Sequence, residues 1–278
     1  MMSEAVIVGG VRVASRCRRT AVVNQKGGVG KTATAVNVAG ALAERGRRVL
    51  LVDLDPQGHL TDALGLPAAA EPCTLPAALA GDWDGSADEL VVVHSKTAAG
   101  GLLGVIPNAI EMFTVGRTLD RMRAREHRLA RVLGSLGDVW DHVLIDCPPS
   151  LDILTDNALA AVEGVLMPVQ AEDSSLKALG LLLSQCEAVD NDLRGDPLQL
   201  HGLVVSLLRR PVSMLARSVL TQLDEFPSLP VLATVPLSVT VAEAWRLGRT
   251  VVEYAPESEL AHEYRKLADV LDPGMVTA

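Results

Sequence analysis

Short apolar runs recur along the chain at "TAVVN", "RVLLVDLD", "LLGVIP", "HVLID", "GVLMPVQ", "LHGLVVSLL" and "LPVLATVP". Each is bounded by turn residues or charges, and each predicts a buried strand. Several are apolar at every position, which fits strands covered on both faces. Longer segments with helical spacing lie between most of them. From Ala33 to Arg45, residues Ala35, Val38, Ala39 and Leu42 share one face, and Gly46 stands where such a helix would end. This alternation predicts an α/β fold: a mostly parallel twisted sheet flanked by helices on both faces, with ligands at the carboxyl ends of the strands. The stretch from Pro67 to Gly101, rich in Ala, Gly, Pro and Asp, reads as surface loops. The arginine-rich "GRTLDRMRAREHRLAR" reads as a packed helix with Leu119, Met122 and Leu129 inward and its arginines on a solvated face.

Composition narrows the class. The chain has 278 residues, and 49% hydrophobic content gives material for a sizeable core. Its four cysteines, Cys17, Cys73, Cys147 and Cys186, form no C-x-x-C pair, which argues against zinc, an iron–sulfur cluster or a disulfide framework and fits a reducing cytoplasm. The first twenty residues make a poor signal peptide, and no later segment reaches the roughly 18 apolar residues of a membrane span. A net charge of −9 disfavours nucleic-acid binding driven by overall charge and leaves room for a local basic patch.

Candidate chemistry begins at "VVNQKGGVGKTATAVN", residues 22–37. "GGVGKT" follows an apolar strand and opens an amphipathic helix, the context of the G-x-x-x-x-G-K-[ST] phosphate loop, although Gln25 takes the place of its first glycine. Glycines Gly27, Gly28 and Gly30 allow backbone N–H groups to surround phosphate oxygens, and the helix starting near Lys31 adds its positive dipole end. Lys31 is expected on the β- and γ-phosphates, and Thr32 on Mg²⁺. Asp146 closes "HVLID", a strand end from which a carboxylate can hold a metal-bound water. Asp53 and Asp55 lie at the end of the run "RVLLVDLD", where a period of two sends both to one side.

The pattern K-G-G-x-G-K-[ST] resembles the deviant Walker A motif of the ParA/MinD family of P-loop ATPases. The likeness runs from Arg19 onward through "RVLLVDLDPQGHLTDALG", "DHVLIDCPPSLDILTDNAL", "MPVQAEDSSLKALG" and "VPLSVTVAEAWRLGRTVVEYAPES". Within the family, the short Soj-like partition ATPases look most similar. The resemblance implies a three-layer P-loop fold over residues 19–278, with residues 1–18 as an N-terminal extension. It also implies ATP and Mg²⁺ held by Gly27, Gly28, Val29, Gly30, Lys31, Thr32, Ala33 and Pro236, with Thr32, Asp53 and Asp146 on the metal.

Lys26, the extra lysine, is implied to reach across an ATP-bound homodimer to the partner's phosphates, as an arginine finger would. Asp55 is implied to position the attacking water. Further implications are non-specific DNA binding, stimulation by a ParB-like centromere-binding partner, and a cytoplasmic location that becomes nucleoid-associated with ATP. The chain departs from the family pattern at Ala33, which lacks a hydroxyl, and at Thr240, where relatives carry a basic residue. Arg209, Arg210, Arg217, Arg246 and Arg249 are the candidate DNA contacts. Competing readings are a positioning ATPase for a non-DNA cargo and a MinD-like membrane ATPase. The second is disfavoured because "EYRKLADVLDPGMVTA" has few cations and ends in Pro and Gly.

Overall fold

The structure, a computed structural model, describes residues 7–8, 11–12, 17–226 and 228–273, so most of the expected extension 1–18 lies outside the described residues. β1 (Ile7–Val8) and β2 (Val11–Arg12) form a small antiparallel pair. The main sheet then starts with β3 (Arg18–Val22), followed by α1 (Lys31–Glu44), β4 (Arg48–Asp53), α2 (His59–Ala63) and α3 (Leu75–Ala80). Next come β5 (Val92–Lys96), β6 (Leu102–Ile106), α4 (Met112–Leu119), α5 (Arg128–Leu133), β7 (His142–Asp146) and α6 (Ile153–Ala161). The chain continues through β8 (Gly164–Val169), α7 (Asp173–Leu193), β9 (Gln199–Leu208), α8 (Met214–Asp224) and β10 (Val231–Pro236). It closes with α9 (Thr240–Arg246), α10 (Val251–Tyr254) and α11 (Glu259–Leu271).

Eight strands form one sheet in the order β10-β9-β8-β3-β7-β4-β6-β5, parallel throughout except for β5 on β6. The strands alternate cleanly between two cores. On β4, Leu50 and Val52 face the core built with α3 to α8, while Val49 and Leu51 face the core built with α1, α2 and α9 to α11. β7 and β8 divide in the same way, with Val143 and Ile145 against Leu144, and Val165 and Met167 against Leu166. Burial on both faces is why these runs contain almost no polar residue. The expected three-layer, mostly parallel architecture is borne out.

Two expectations need correction. The segment 67–101 holds α3 and the antiparallel edge strand β5 as well as loops. β5 pairs on one side only, Val92 and Val93 stay exposed, and the short apolar run at 90–93 passes at once into the polar His94, Ser95 and Lys96. The arginine-rich segment is two helices rather than one, interrupted at Ala124, whose φ of 48° is left-handed. Its inward residues are placed as expected, with Leu119 and Leu129 fully buried.

Helix α1 seats against the sheet, α10 and α11 through small residues, and at Gly40 it meets the residue that caps α10. A Cβ there would come within 2.7–2.8 Å of three side-chain atoms of the fully buried Thr250. Gly40→Ala should therefore destabilise the fold by about 1–3 kcal/mol, overpacking outweighing the roughly 1 kcal/mol helix-propensity gain. Urea unfolding measures this, and a Gly40→Ala variant more stable than the parent would show that Thr250 yields freely.

Candidate functional site

The loop between β3 and α1 lies at the carboxyl ends of the central strands, where β3 is flanked by β7 and β8. Gly28 and Gly30 have φ of 72° and 82°, a left-handed backbone that glycine adopts without strain, and Gly30 leads directly into α1. Buried polar side chains anchor the loop. Asn24 donates Nδ2 to Pro168 O at 2.7 Å and accepts the Lys26 N–H on Oδ1 at 2.9 Å. The Ser206 hydroxyl, at the end of β9, lies 2.5 Å from Val29 O and 3.1 Å from Val169 O, tying the loop to β8 and β9.

Beneath the loop sits a compact group of charges. Asp53 and Asp146 are register partners at the ends of β4 and β7, both fully buried. Thr32 donates Oγ1 to Asp146 Oδ2 at 2.6 Å, and Asp53 Oδ2 accepts Thr61 N–H at 2.8 Å and Thr61 Oγ1 at 2.6 Å. The other oxygen of each carboxylate, Asp146 Oδ1 and Asp53 Oδ1, is buried with no partner among the described residues. Burial, with the neighbouring carboxylates adding to it, pushes the Asp53 carboxyl up to about 6 and Asp146 well above the usual range. Burial also lowers Lys31, against the pull of Asp146 and Asp55. Lys31 donates Nζ to Lys26 O at 3.2 Å.

Asp55 is 5% exposed and lies past the last residue of β4, so strand alternation does not place it. A turn does. Its Oδ1 accepts the Gln57 N–H at 3.0 Å, and its carbonyl accepts Asn108 Nδ2 at 2.6 Å. Asn108 in turn donates its N–H to Thr61 Oγ1 at 2.8 Å, so Asp53 and Asp55 belong to one hydrogen-bonded unit.

A cavity of about 400 Å³ opens over this group. Gly27, Gly28, Gly30, Lys31, Thr32, Ala33 and Asp55 line its polar end, and Pro236, Val241, Trp245 and Tyr264 its apolar end. Of the expected binding residues, Val29 stays outside the lining, buried with its carbonyl on Ser206. Lys26 also stays outside; its ammonium pairs with Glu172 and donates to Ser174 Oγ at 3.0 Å. Arg209, Arg210, Arg217, Arg246 and Arg249 are all exposed, but Arg210 is held in a two-point ion pair by Glu259.

Sequence reading missed the second rank of this site: Ser206, Thr61, Asn108 and the aromatic wall of Trp245 and Tyr264. The one available signal was Ser206, a lone hydroxyl in the apolar run "LVVSLL" at a strand's carboxyl end.

The family model described as an AAA domain matches residues 17–198. The chromosome-partitioning ATPase Soj of Thermus thermophilus is 41% identical over 92% of this chain and 95% of that protein. The chain belongs to the ParA/MinD family of P-loop ATPases. Sporulation initiation inhibitor protein Soj of Bacillus subtilis is 37% identical, covering 89% of this chain and 95% of its own length. Among solved structures, cobyrinic acid a,c-diamide synthase from Mycobacterium smegmatis with ADP and magnesium matches at TM-score 0.76 and 35% identity. It covers 91% of this chain and 93% of that one. The septum site-determining protein MinD of Pyrococcus horikoshii with Mg-ADP matches at 0.72 and 27% identity, covering 92% and 96%. These relatives make the chain a ParA-like partition ATPase.

Because folding favours the protonated form of Asp53, its contribution to stability is full below the unfolded carboxyl value of 3.8 and declines as pH rises towards about 6. Asp53→Asn should thus stabilise the nucleotide-free protein at pH 8 by about 1–3 kcal/mol and flatten that decline. Thermal unfolding at pH 5 and pH 8 checks it; a variant less stable than the parent at pH 8 would mean the carboxylate is welcome there without a metal.

Proposed function

We propose that residues 19–278 act as one ATPase domain that dimerises on ATP, binds DNA without sequence preference in that state and releases it after hydrolysis stimulated by a ParB-like partner. Its place is the cytoplasm, on the nucleoid when ATP is bound. The observation that supports this most is Lys26. It sits on the phosphate loop yet outside the cavity, with its ammonium on Glu172 and Ser174 at the start of α7. A lysine so placed does not serve its own cavity, and exchanging its exposed partner Glu172 for phosphates held by a second subunit would give it a role there.

The residues present fit a magnesium nucleotide. Two buried carboxylate oxygens lack partners beside the Thr32 hydroxyl, and a glycine loop opens onto a cavity of the right kind. Mg²⁺ shares its shell with water and substrate phosphate, so one hydroxyl and two carboxylates suffice on the protein side. Thr32, Asp53 and Asp146 would hold it, and when bound it neutralises charge on the phosphates. Lys31 and the loop N–H groups bind the β- and γ-phosphates, and Pro236 with the apolar wall takes the base. Asp55, held by Gln57 and Asn108, accepts a hydrogen bond from the attacking water and orients it in line with the γ-phosphorus. Lys26 of the second subunit stabilises charge developing on the transferred group.

Other readings have less support. One structural neighbour bears the name of an amide-forming synthase. An amide synthase drawing ammonia from glutamine needs an activated thiol, and here burial pushes Cys17 up to about 11 and Cys186 up to about 12 and raises Cys73 and Cys147 as well. For a membrane ATPase, the apolar face of α11 is already spent on the core through Leu260, Tyr264, Leu267 and Leu271, and no described helix is long and apolar enough to cross a membrane.

Lys31→Ala should abolish nucleotide binding, and Lys26→Ala should bind ATP yet stay monomeric and lose at least about 100-fold in turnover. Asp55→Ala should remain an ATP-bound dimer that hydrolyses slowly. Light scattering with ATP and with ADP, paired with phosphate release, reads all three. A Lys26→Ala protein that dimerises and turns over normally contradicts the cross-subunit role.

A further inference from the structure

The expected basic patch is thin, because Glu259 neutralises Arg210. A denser one lies elsewhere. Residues 112–133 carry six arginines against two carboxylates, Asp120 and Glu126, in a chain of net charge −9. Arg125 engages both carboxylates, with Nη1 on Asp120 at 3.1 Å and Nε on Glu126 at 2.9 Å. Arg117, Arg121, Arg123 and Arg131 remain exposed, with no ion pair among the described residues.

Arg117 and Arg121 stand one helical turn apart at the end of α4. With Thr114, Thr118, Ala80 and Met122 they line a groove of about 430 Å³ beside the end of α3, and no carboxylate lines it. On the other side of that end, Arg128 donates Nε to Leu79 O at 2.7 Å and lines a second groove with Arg131, where Asp84 is the single carboxylate. Glu71, Asp82 and Glu111 line a third groove that shares Ala80, Thr114 and Thr118 with the first, and they mark the border of the basic strip on its threonine side.

We propose that this strip is a second DNA-backbone surface, adding to the late-chain arginines; the proposal rests on the DNA-binding reading above. Guanidiniums beside threonine hydroxyls suit phosphate oxygens, and the shallow groove offers nothing shaped to read a base edge. Ala80 and Met122 are the only residues with wholly apolar side chains in the first groove, without an aromatic or large aliphatic anchor for a protein interface, whereas binding to phosphates needs none. The strip is also wired to the site. α4 starts four residues after Asn108, whose side chain holds the Asp55 carbonyl and whose N–H holds Thr61. A change of nucleotide state at Asp55 therefore reaches the arginines through one short segment.

The test is fluorescence anisotropy with unrelated duplexes, Mg²⁺ and a non-hydrolysable ATP analogue, from about 50 to 200 mM salt. Arg117→Ala with Arg121→Ala should reduce the slope of log affinity on log salt by about 2 per protomer and weaken binding at least tenfold. Arg117→Lys with Arg121→Lys should keep most of the slope, and turnover without DNA should be unchanged in both. If the alanine pair binds like the parent while Arg217→Ala with Arg249→Ala does not, the placement is overturned and the DNA reading stands. If the parent protein binds no DNA, both fall. Normal DNA binding with lost partner stimulation would reassign the strip to a protein partner and overturn the proposal.

Discussion

Two carboxylates buried side by side, Asp53 and Asp146, are the constraint around which this molecule is arranged. An ionised carboxylate in a protein interior costs several kcal/mol unless it is paired and hydrogen-bonded, and here each has one oxygen satisfied and one bare. Lys31 is the single cation built into the group, and burial works against its charge as well. Both carboxylates are therefore short of positive charge, which a metal held by them would supply. The surrounding threonines fix where that charge must sit: Thr32 on Asp146, and Thr61 on Asp53.

The same contacts tie the site to the rest of the chain. Thr61 joins Asp53 to Asn108, Asn108 joins the Asp55 turn to the start of α4, and α2, which carries Thr61, packs on α9. Beyond α9, the chain approaches so closely that a Cβ on Gly248 would lie 2.9 Å from Leu64 O. The Asp53 carboxylate is thus joined by contacts to elements on both faces of the sheet. Lys26 makes a separate connection through Glu172 and Ser174 to α7. The backbone of the loop is anchored on β8 and β9, whereas the Lys26 side chain is anchored on α7.

Much of this was legible in the residues. The strands could be read because both faces of a parallel sheet are apolar, so β4, β7 and β8 appear as unbroken runs. β5 could not, because an edge strand pairs on one side and tolerates "VVHSK". The phosphate loop announces itself through local backbone needs, glycines at positive φ followed by Lys31 and Thr32. Thr61, Asn108 and Ser206 act through contacts 8, 53 and 177 residues away in sequence, a distance at which no local pattern speaks. The expected alternation does not reach Asp55: β4 stops at Asp53, and a turn places the next carboxylate instead. The break at Ala124 escaped because helical spacing continues on either side of it.

Two buried carboxylates with bare oxygens should make nucleotide binding depend on a cation. Calorimetric titration of a non-hydrolysable ATP analogue, once with excess Mg²⁺ and once with a chelator, tests it most directly. Binding at least tenfold tighter is expected with Mg²⁺, and Asp146→Asn should lose that difference. Equal affinity with and without the metal would contradict it.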